Sequence, residues 1–167
     1  MTCQEATGDG FGLGGNPPAS MRTKAGVRIL SGNSLIGQTI TKVSFYLKKS
    51  NTPTGNINLA VYNGGVDQSV GGSTLDATTI TTSYVLYEFT MSRLIAENDD
   101  IVLEGGTVSD PNQVNLSQNT DATVYPTQIS VDYSGSWAIY AGRNCYFCWD
   151  LSSPTALLPP PPAYVRI

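Results

Sequence analysis

Apolar side chains recur at every second position in a series of short segments through the middle of the chain, the pattern of strands with one buried face. In Thr41–Lys48, Val43, Phe45 and Leu47 fall on one face, and Ser44, Tyr46 and Lys48 on the other. Asn56–Tyr62 repeats this with Ile57, Leu59 and Val61 inward. Asn51-Thr52-Pro53-Thr54-Gly55 separates the two, with a proline to set φ and a glycine able to take positive φ. The pair is therefore expected to form an antiparallel hairpin. Ser83–Thr90 alternates again, with Val85, Tyr87 and Phe89 as the expected core face. Asp100–Glu104 predicts a strand stopped by Gly105-Gly106, and Gln113–Leu116, Gln128–Tyr133, Trp137–Tyr140 and Cys145–Leu151 predict four more. No segment spaces its apolar residues for a helix, and Ser92–Asn98 has room for one helical turn at most. Many short strands separated by Gly, Asn and Pro turns predict an all-β, antiparallel β-sandwich or barrel.

The two ends differ from this block. Residues 1–25 lack periodicity, are rich in glycine and contain Pro17-Pro18, so they read as an extended N-terminal arm. Residues 152–167 read as a C-terminal arm. Pro159–Pro162 favour polyproline II, at about 3.1 Å per residue, and Ala163–Ile167 has strand propensity. The sandwich is expected to span 26–151. The arms are expected to pack on their own domain or on neighbours, with Phe11 and Leu13 in one, and Tyr164, Val165 and Ile167 in the other, as the side chains that would anchor on neighbouring subunits.

Composition narrows the chemistry. Only 13% of residues are charged, so a mostly neutral surface of hydroxyls and amides is expected. A net charge of −4 argues against binding nucleic acid, which needs clustered Lys and Arg. The absence of histidine removes Ser-His-Asp and Cys-His catalysis and His-ligated zinc. No cofactor motif is present, because the glycine-rich run 8–15 follows no strand and opens no helix, so a non-enzymatic protein without a cofactor is expected. No run approaches the roughly 20 apolar residues of a membrane span, and the first residues lack the pattern of a signal peptide.

Several residues remain as candidates. Cys145-x-x-Cys148 lies in an expected strand, where residues three apart point to opposite faces. That argues against a redox pair and leaves buried structural thiols, or a disulfide from Cys3 to Cys145 or Cys148. Asp99 and Asp100, with Glu97 and Glu104, read as a solvated loop opening a strand, with calcium binding as the alternative; no other metal site is expected. Tyr46, Tyr62 and Tyr84 fall on outward faces and Trp137 near a turn. They are candidate glycan-facing rings, or else subunit contacts or a cover for the sheets. Arg22, Lys24 and Arg28 are either scattered solvated charges or a patch meeting the acidic stretch 97–104 of a neighbouring copy. Asn115-Leu116-Ser117 is a glycosylation sequon.

The run Ile40–Lys49, followed by Pro53-Thr54-Gly55-Asn56 and Ala60-Val61-Tyr62, resembles a family of jelly-roll modules. That family occurs in structural proteins of tailed phages and environmental viruses and in bacterial surface proteins. The resemblance continues through Leu75-Asp76, Thr81–Thr90, Gly135-Ser136-Trp137 and Cys145–Leu151, covering about residues 26–151. It implies jelly-roll connections and a structural role on a virion surface, as capsid decoration or as a tail or fibre accessory. Its partners would be copies of itself and other virion or surface-assembly proteins. A carbohydrate-binding module and an extracellular filament subunit are the alternatives it leaves open. Virion surface or extracellular is the location it implies.

Overall fold

The computed structural model of the chain describes residues 1–4, 11–13, 22–105, 112–119, 128–140 and 143–152. Its strands are β1 (Thr2–Gln4), β2 (Phe11–Leu13), β3 (Lys24–Ile29), β4 (Thr39–Ser50), β5 (Asn56–Asn63), β6 (Val66–Asp67), β7 (Thr74–Asp76) and β8 (Val85–Leu94). They continue with β9 (Asp99–Glu104), β10 (Gln113–Leu116), β11 (Gln118–Asn119), β12 (Gln128–Tyr133), β13 (Trp137–Tyr140), β14 (Asn144–Cys145) and β15 (Phe147–Leu151). The architecture is an all-β sandwich of two antiparallel sheets.

In the first sheet β4 is the spine. One side of it pairs with β8, and the other is shared end to end by β15, opposite Ile40–Phe45, and β10, opposite Leu47–Ser50. Two short N-terminal strands close that edge, β1 outside β15 and β2 outside β10. The second sheet runs β13-β12-β3-β9-β5, with β6 and β7 both beside β5. A two-stranded ribbon, β11-β14, stands apart from both.

The core lies between the sheets. Val43, Phe45, Leu47, Phe89, Phe147 and Trp149 face Val27, Ile29, Ile57, Leu59, Val61, Ile101 and Leu103. Phe45 is central, packed edge-on against Phe89 at 6.4 Å and against Phe147 at 5.5 Å between ring centroids. These are the apolar faces the alternation predicts. Val85 is the exception, 43% exposed where β8 begins at the rim of the sheet.

Other expectations need correcting. The segments around Val43 and Leu59 do not form a hairpin. Between Ser50 and Asn56 the chain crosses from one sheet to the other, with Asn51 and Gly55 at φ 59 and 88. Alternation specifies which face is buried, not which strand lies alongside. Here the two apolar faces meet across the core instead of pairing edge to edge. In keeping with the limit of one helical turn at most, Ser92–Asn98 holds none, since β8 runs on to Leu94. Among the described residues a single 3-10 turn occurs, at Ala77–Thr79, where Asp76 accepts the Thr78 amide.

The N-terminal boundary also moves. β1 and β2 belong to the first sheet and β3 begins at Lys24, so the described residues of the expected arm, 1–4, 11–13 and 22–25, are part of the sandwich. Leu13, expected to anchor on a neighbour, is wholly buried in its own chain's core, because β10 offers it both a pairing edge and an apolar pocket. Phe11 sits on β2 in register with Leu116. Tyr164, Val165, Ile167 and Pro159–Pro162 lie outside the described residues.

Candidate functional site

Three arrangements could carry function: a covalent corner in the first sheet, a charged seam in the second, and an aromatic cluster on the outer face of each.

The corner is formed by β1 and β15, where Cys3 and Cys148 are cross-strand partners joined by a disulfide. Cys148 is fully buried on the outward side of the sheet, in register with Ser44, whereas its neighbours Phe147 and Trp149 point into the core. Cys145 is a buried thiol outside the disulfide, on β14, donating to the Gly26 carbonyl at 3.1 Å. Tyr146 separates the two strands, giving its amide to Ser117. The two cysteines of the C-x-x-C thus do different jobs on different strands. The Met1 amine lies 2.6 Å from Asp150, and the Ser152 amide donates to Thr39 at 2.9 Å. Both described ends of the chain therefore reach the same end of this sheet.

The seam corrects the reading of Asp99 and Asp100 as a solvated loop. Both are in β9 and fully buried. Asp99 accepts from Arg93 twice (3.0 and 3.1 Å), from Asn63 at 2.8 Å and from the Ala96 amide at 3.0 Å. Since Arg93 belongs to β8 and Asn63 to β5, this carboxylate ties the two sheets together. Asp100 receives a two-pronged contact from Arg28, with both bonds at 2.6 Å. Burial pushes the Asp100 carboxyl above the ordinary carboxylate range, and Arg28 offsets this only in part. Four oxygens thus already hold donors, so a calcium ion there would have to displace both guanidinium groups. The basic patch is corrected by the same pairing. Lys24 and Arg28 meet Glu104 and Asp100 across the adjacent strands β3 and β9 of one chain, not across two copies. Arg22 instead lies over the Tyr140 ring at 5.7 Å and donates to its hydroxyl at 3.4 Å.

The four candidate rings separate into two pairs. On the first sheet Tyr46 is stacked between Tyr84, with centroids 5.7 Å apart, and Tyr146, 4.9 Å away. Lys48 lies 4.6 Å from the centre of the Tyr84 ring. A ring in the middle of such a stack has both faces covered. On the second sheet Trp137 is tilted against Tyr62 and Tyr133, each at 5.3 Å. Beneath Trp137 and Tyr62, Ala60 and Val102 form a small apolar floor. The Lys24 ammonium sits 4.5 Å from the Tyr62 ring centre, bonds the Tyr62 hydroxyl at 2.8 Å and pairs with Glu104; that hydroxyl in turn donates to Glu104 at 2.7 Å. Burial pulls the Lys24 ammonium down, but Glu104 and Tyr62 more than compensate, so its pKa is raised. Burial and the bond to Glu104 likewise raise the Tyr62 hydroxyl.

Tyr133, Tyr146 and Arg93 are members of these sites that the sequence reading missed. Tyr133 was legible, since the turn Ser134-Gly135-Ser136 places it opposite Trp137. Tyr146 and Arg93 were not, because each meets its partner through tertiary packing. The sequon residue Asn115 is buried in β10 and donates to Ser50 at 2.9 Å. Among the described residues no three Cys, Asp or Glu are placed to hold a metal, and no helix is long and apolar enough to cross a membrane. In comparisons with protein-family models, with curated proteins and with solved structures, the chain matches none.

Proposed function

We propose that this chain is a non-enzymatic structural module on the surface of a virion or a comparable extracellular assembly, and that its sandwich has jelly-roll connections. The observation that carries this reading is the Cys3–Cys148 disulfide, which staples β1 to β15, the first and last strands among the described residues, at the edge of a low-charge sandwich. Disulfides persist in oxidising surroundings, and a bond joining the two ends of a domain resists unravelling from either end. The resemblance of residues 26–151 to virus and surface modules points the same way. In this reading residues 153–167, which carry Tyr164, Val165 and Ile167, attach the module to its neighbours.

Sedimentation velocity on the full chain beside residues 1–152, over a wide range of concentration, tests the reading. Assemblies that grow with concentration and require 153–167 are expected. Monomers at every concentration for both would overturn it.

A second reading, carbohydrate binding, has one observation in its favour: Trp137, Tyr62 and Tyr133 gather over a small-residue floor with hydrogen-bonding groups beside them. It predicts retardation of the protein in polysaccharide gels, lost in Trp137→Ala. Equal migration of the two proteins in every gel would end it.

A further inference from the structure

We infer that the outer face of the second sheet binds an uncharged polysaccharide, with Trp137 stacked on a pyranose ring and Glu104 and Lys24 holding its hydroxyls as an acceptor–donor pair. The inference rests on the carbohydrate reading and adds to it the class of chain bound and the residues that select it.

Register brings the groups together. Asn58, Glu104, Lys24, Tyr133 and Trp137 stand opposite one another on the adjacent strands β5, β9, β3, β12 and β13, in one row across the sheet. The next row on the same face is Ala60, Val102 and Gly26, none of them tall enough to screen the rings. Aromatic rings beside a line of polar groups match a pyranose, which has an apolar face and a rim of hydroxyls.

The hydrogen bonds already made show what is left for a ligand. Glu104 receives both of its donors, the Lys24 ammonium and the Tyr62 hydroxyl, on one oxygen, Oε1. Among the described residues no donor reaches Oε2, and that oxygen is not sealed from solvent. Lys24 uses two of its three N–H groups, on Tyr62 and Glu104, and keeps one. The two side chains are 21% and 25% exposed, so the pair is open to a ligand. A hydroxyl both donates and accepts, so a sugar can give to Glu104 and take from Lys24 at once.

Charge decides the class. Ammonium and carboxylate cancel within the pair, and the neighbouring Arg28–Asp100 pair cancels as well. The raised pKa of Lys24 keeps its pair ionised throughout the neutral range. An anionic chain would meet Glu104 and a cationic one Lys24, whereas a neutral polyol is repelled by neither. Lys24 also lies 4.5 Å from the centre of the Tyr62 ring, the place a ligand cation would take.

Affinity electrophoresis of the folded full chain tests this, in native gels containing hydroxyethyl cellulose, galactomannan or dextran, which are neutral, and alginate or hyaluronate, which are anionic. Retardation is expected in at least one neutral gel and in neither anionic one, and Trp137→Ala should abolish it. Glu104→Gln keeps the shape of the site but leaves Lys24 unpaired. Its affinity for the neutral chain should fall about tenfold, as for the loss of one charged hydrogen bond, and it should gain retardation by alginate. A purely structural Glu104 predicts no such gain. Lys24→Gln leaves Glu104 unpaired instead, and should weaken on the neutral chain without gaining alginate. It carries the comparison if thermal melts show that Glu104→Gln does not fold. Alginate retarding the natural protein as strongly as the neutral chains do would overturn the inference. So would folded Glu104→Gln and Lys24→Gln that match the natural protein in every gel. In both cases the carbohydrate reading stands as long as Trp137→Ala migrates freely. No retardation in any gel overturns the two together.

Discussion

Asp99 is the residue whose role departs furthest from its place in the sequence. A carboxylate in an acidic run is ordinarily solvated, yet this one is buried with four donors drawn from β8, β5 and the loop between β8 and β9. Removing one partner of a buried pair leaves the other charge uncompensated, so Asp99→Ala should destabilise the fold by about 3–5 kcal/mol. Urea unfolding measures this directly; a loss below 1 kcal/mol would show that Arg93 finds water instead. Lys24 and Tyr62 make a second residue-scale case. Both pKa values are raised, so between the unfolded values, 10.5 and 10.0, and the folded ones the native state holds more protons than the unfolded state. Their contribution is complete below about pH 10 and is lost as pH rises through the folded values. Tyr62→Phe should therefore flatten the alkaline loss of stability, as thermal melts at pH 9 and pH 11 would reveal.

At the scale of elements, β1 is three residues long and among the described residues pairs with β15 alone, so the disulfide is a large part of its attachment, beside the Met1–Asp150 contact. A bond spanning 145 residues is worth about 5 kcal/mol in the chain-entropy account of cross-links. Cys3→Ser should lower the urea midpoint accordingly, and amide exchange should show β15 losing protection before β4. The contact between β3 and β9 is tight for a different reason. A Cβ on Gly26 would lie 2.7 Å from the Val102 Cα and closer still to the Ile101 carbonyl. Backbone cannot yield as a flexible side chain can, so Gly26→Ala should cost about 3 kcal/mol and shift both neighbouring strands. Chemical-shift changes spread along β9 would mark that displacement.

For the whole molecule, the sandwich reaches from Met1 to Ser152 among the described residues, with Leu13 in its core and the Cys3 bridge across its edge. Trimming the two ends should therefore have unequal effects. Residues 1–152 should melt within a few degrees of the full chain, whereas residues 26–167 lose the bridge, two edge strands and a core leucine and should fail to melt cooperatively. Calorimetry on both fragments distinguishes an N-terminus integral to the fold from one that merely decorates it.

The positions and buried faces of the strongly alternating strands were determined by the sequence alone, whereas β1, β2, β3, β6, β7 and β11 were not expected from it. Alternation is a local property, and Val43-Phe45-Leu47 and Ile57-Leu59-Val61 were legible from it, as were the strands at Gln113–Leu116, Gln128–Tyr133 and Trp137–Tyr140, while the expected strand Cys145–Leu151 is broken at Tyr146 into β14 and β15. Neighbours were decided only by the tertiary structure. The same five-residue turn serves a hairpin or a crossing between sheets, and the choice depends on which distant strands compete for the edge of β4. Charge followed the same rule. Lys24 and Arg28 were recognisable as complementary to 97–104, but the antiparallel pairing of β3 with β9 brought them together in one chain, in reverse order, Lys24 to Glu104 and Arg28 to Asp100. Period and composition are carried by adjacent residues, whereas register, pairing and the meeting of Cys3 with Cys148 exist only once segments far apart in the chain share an edge.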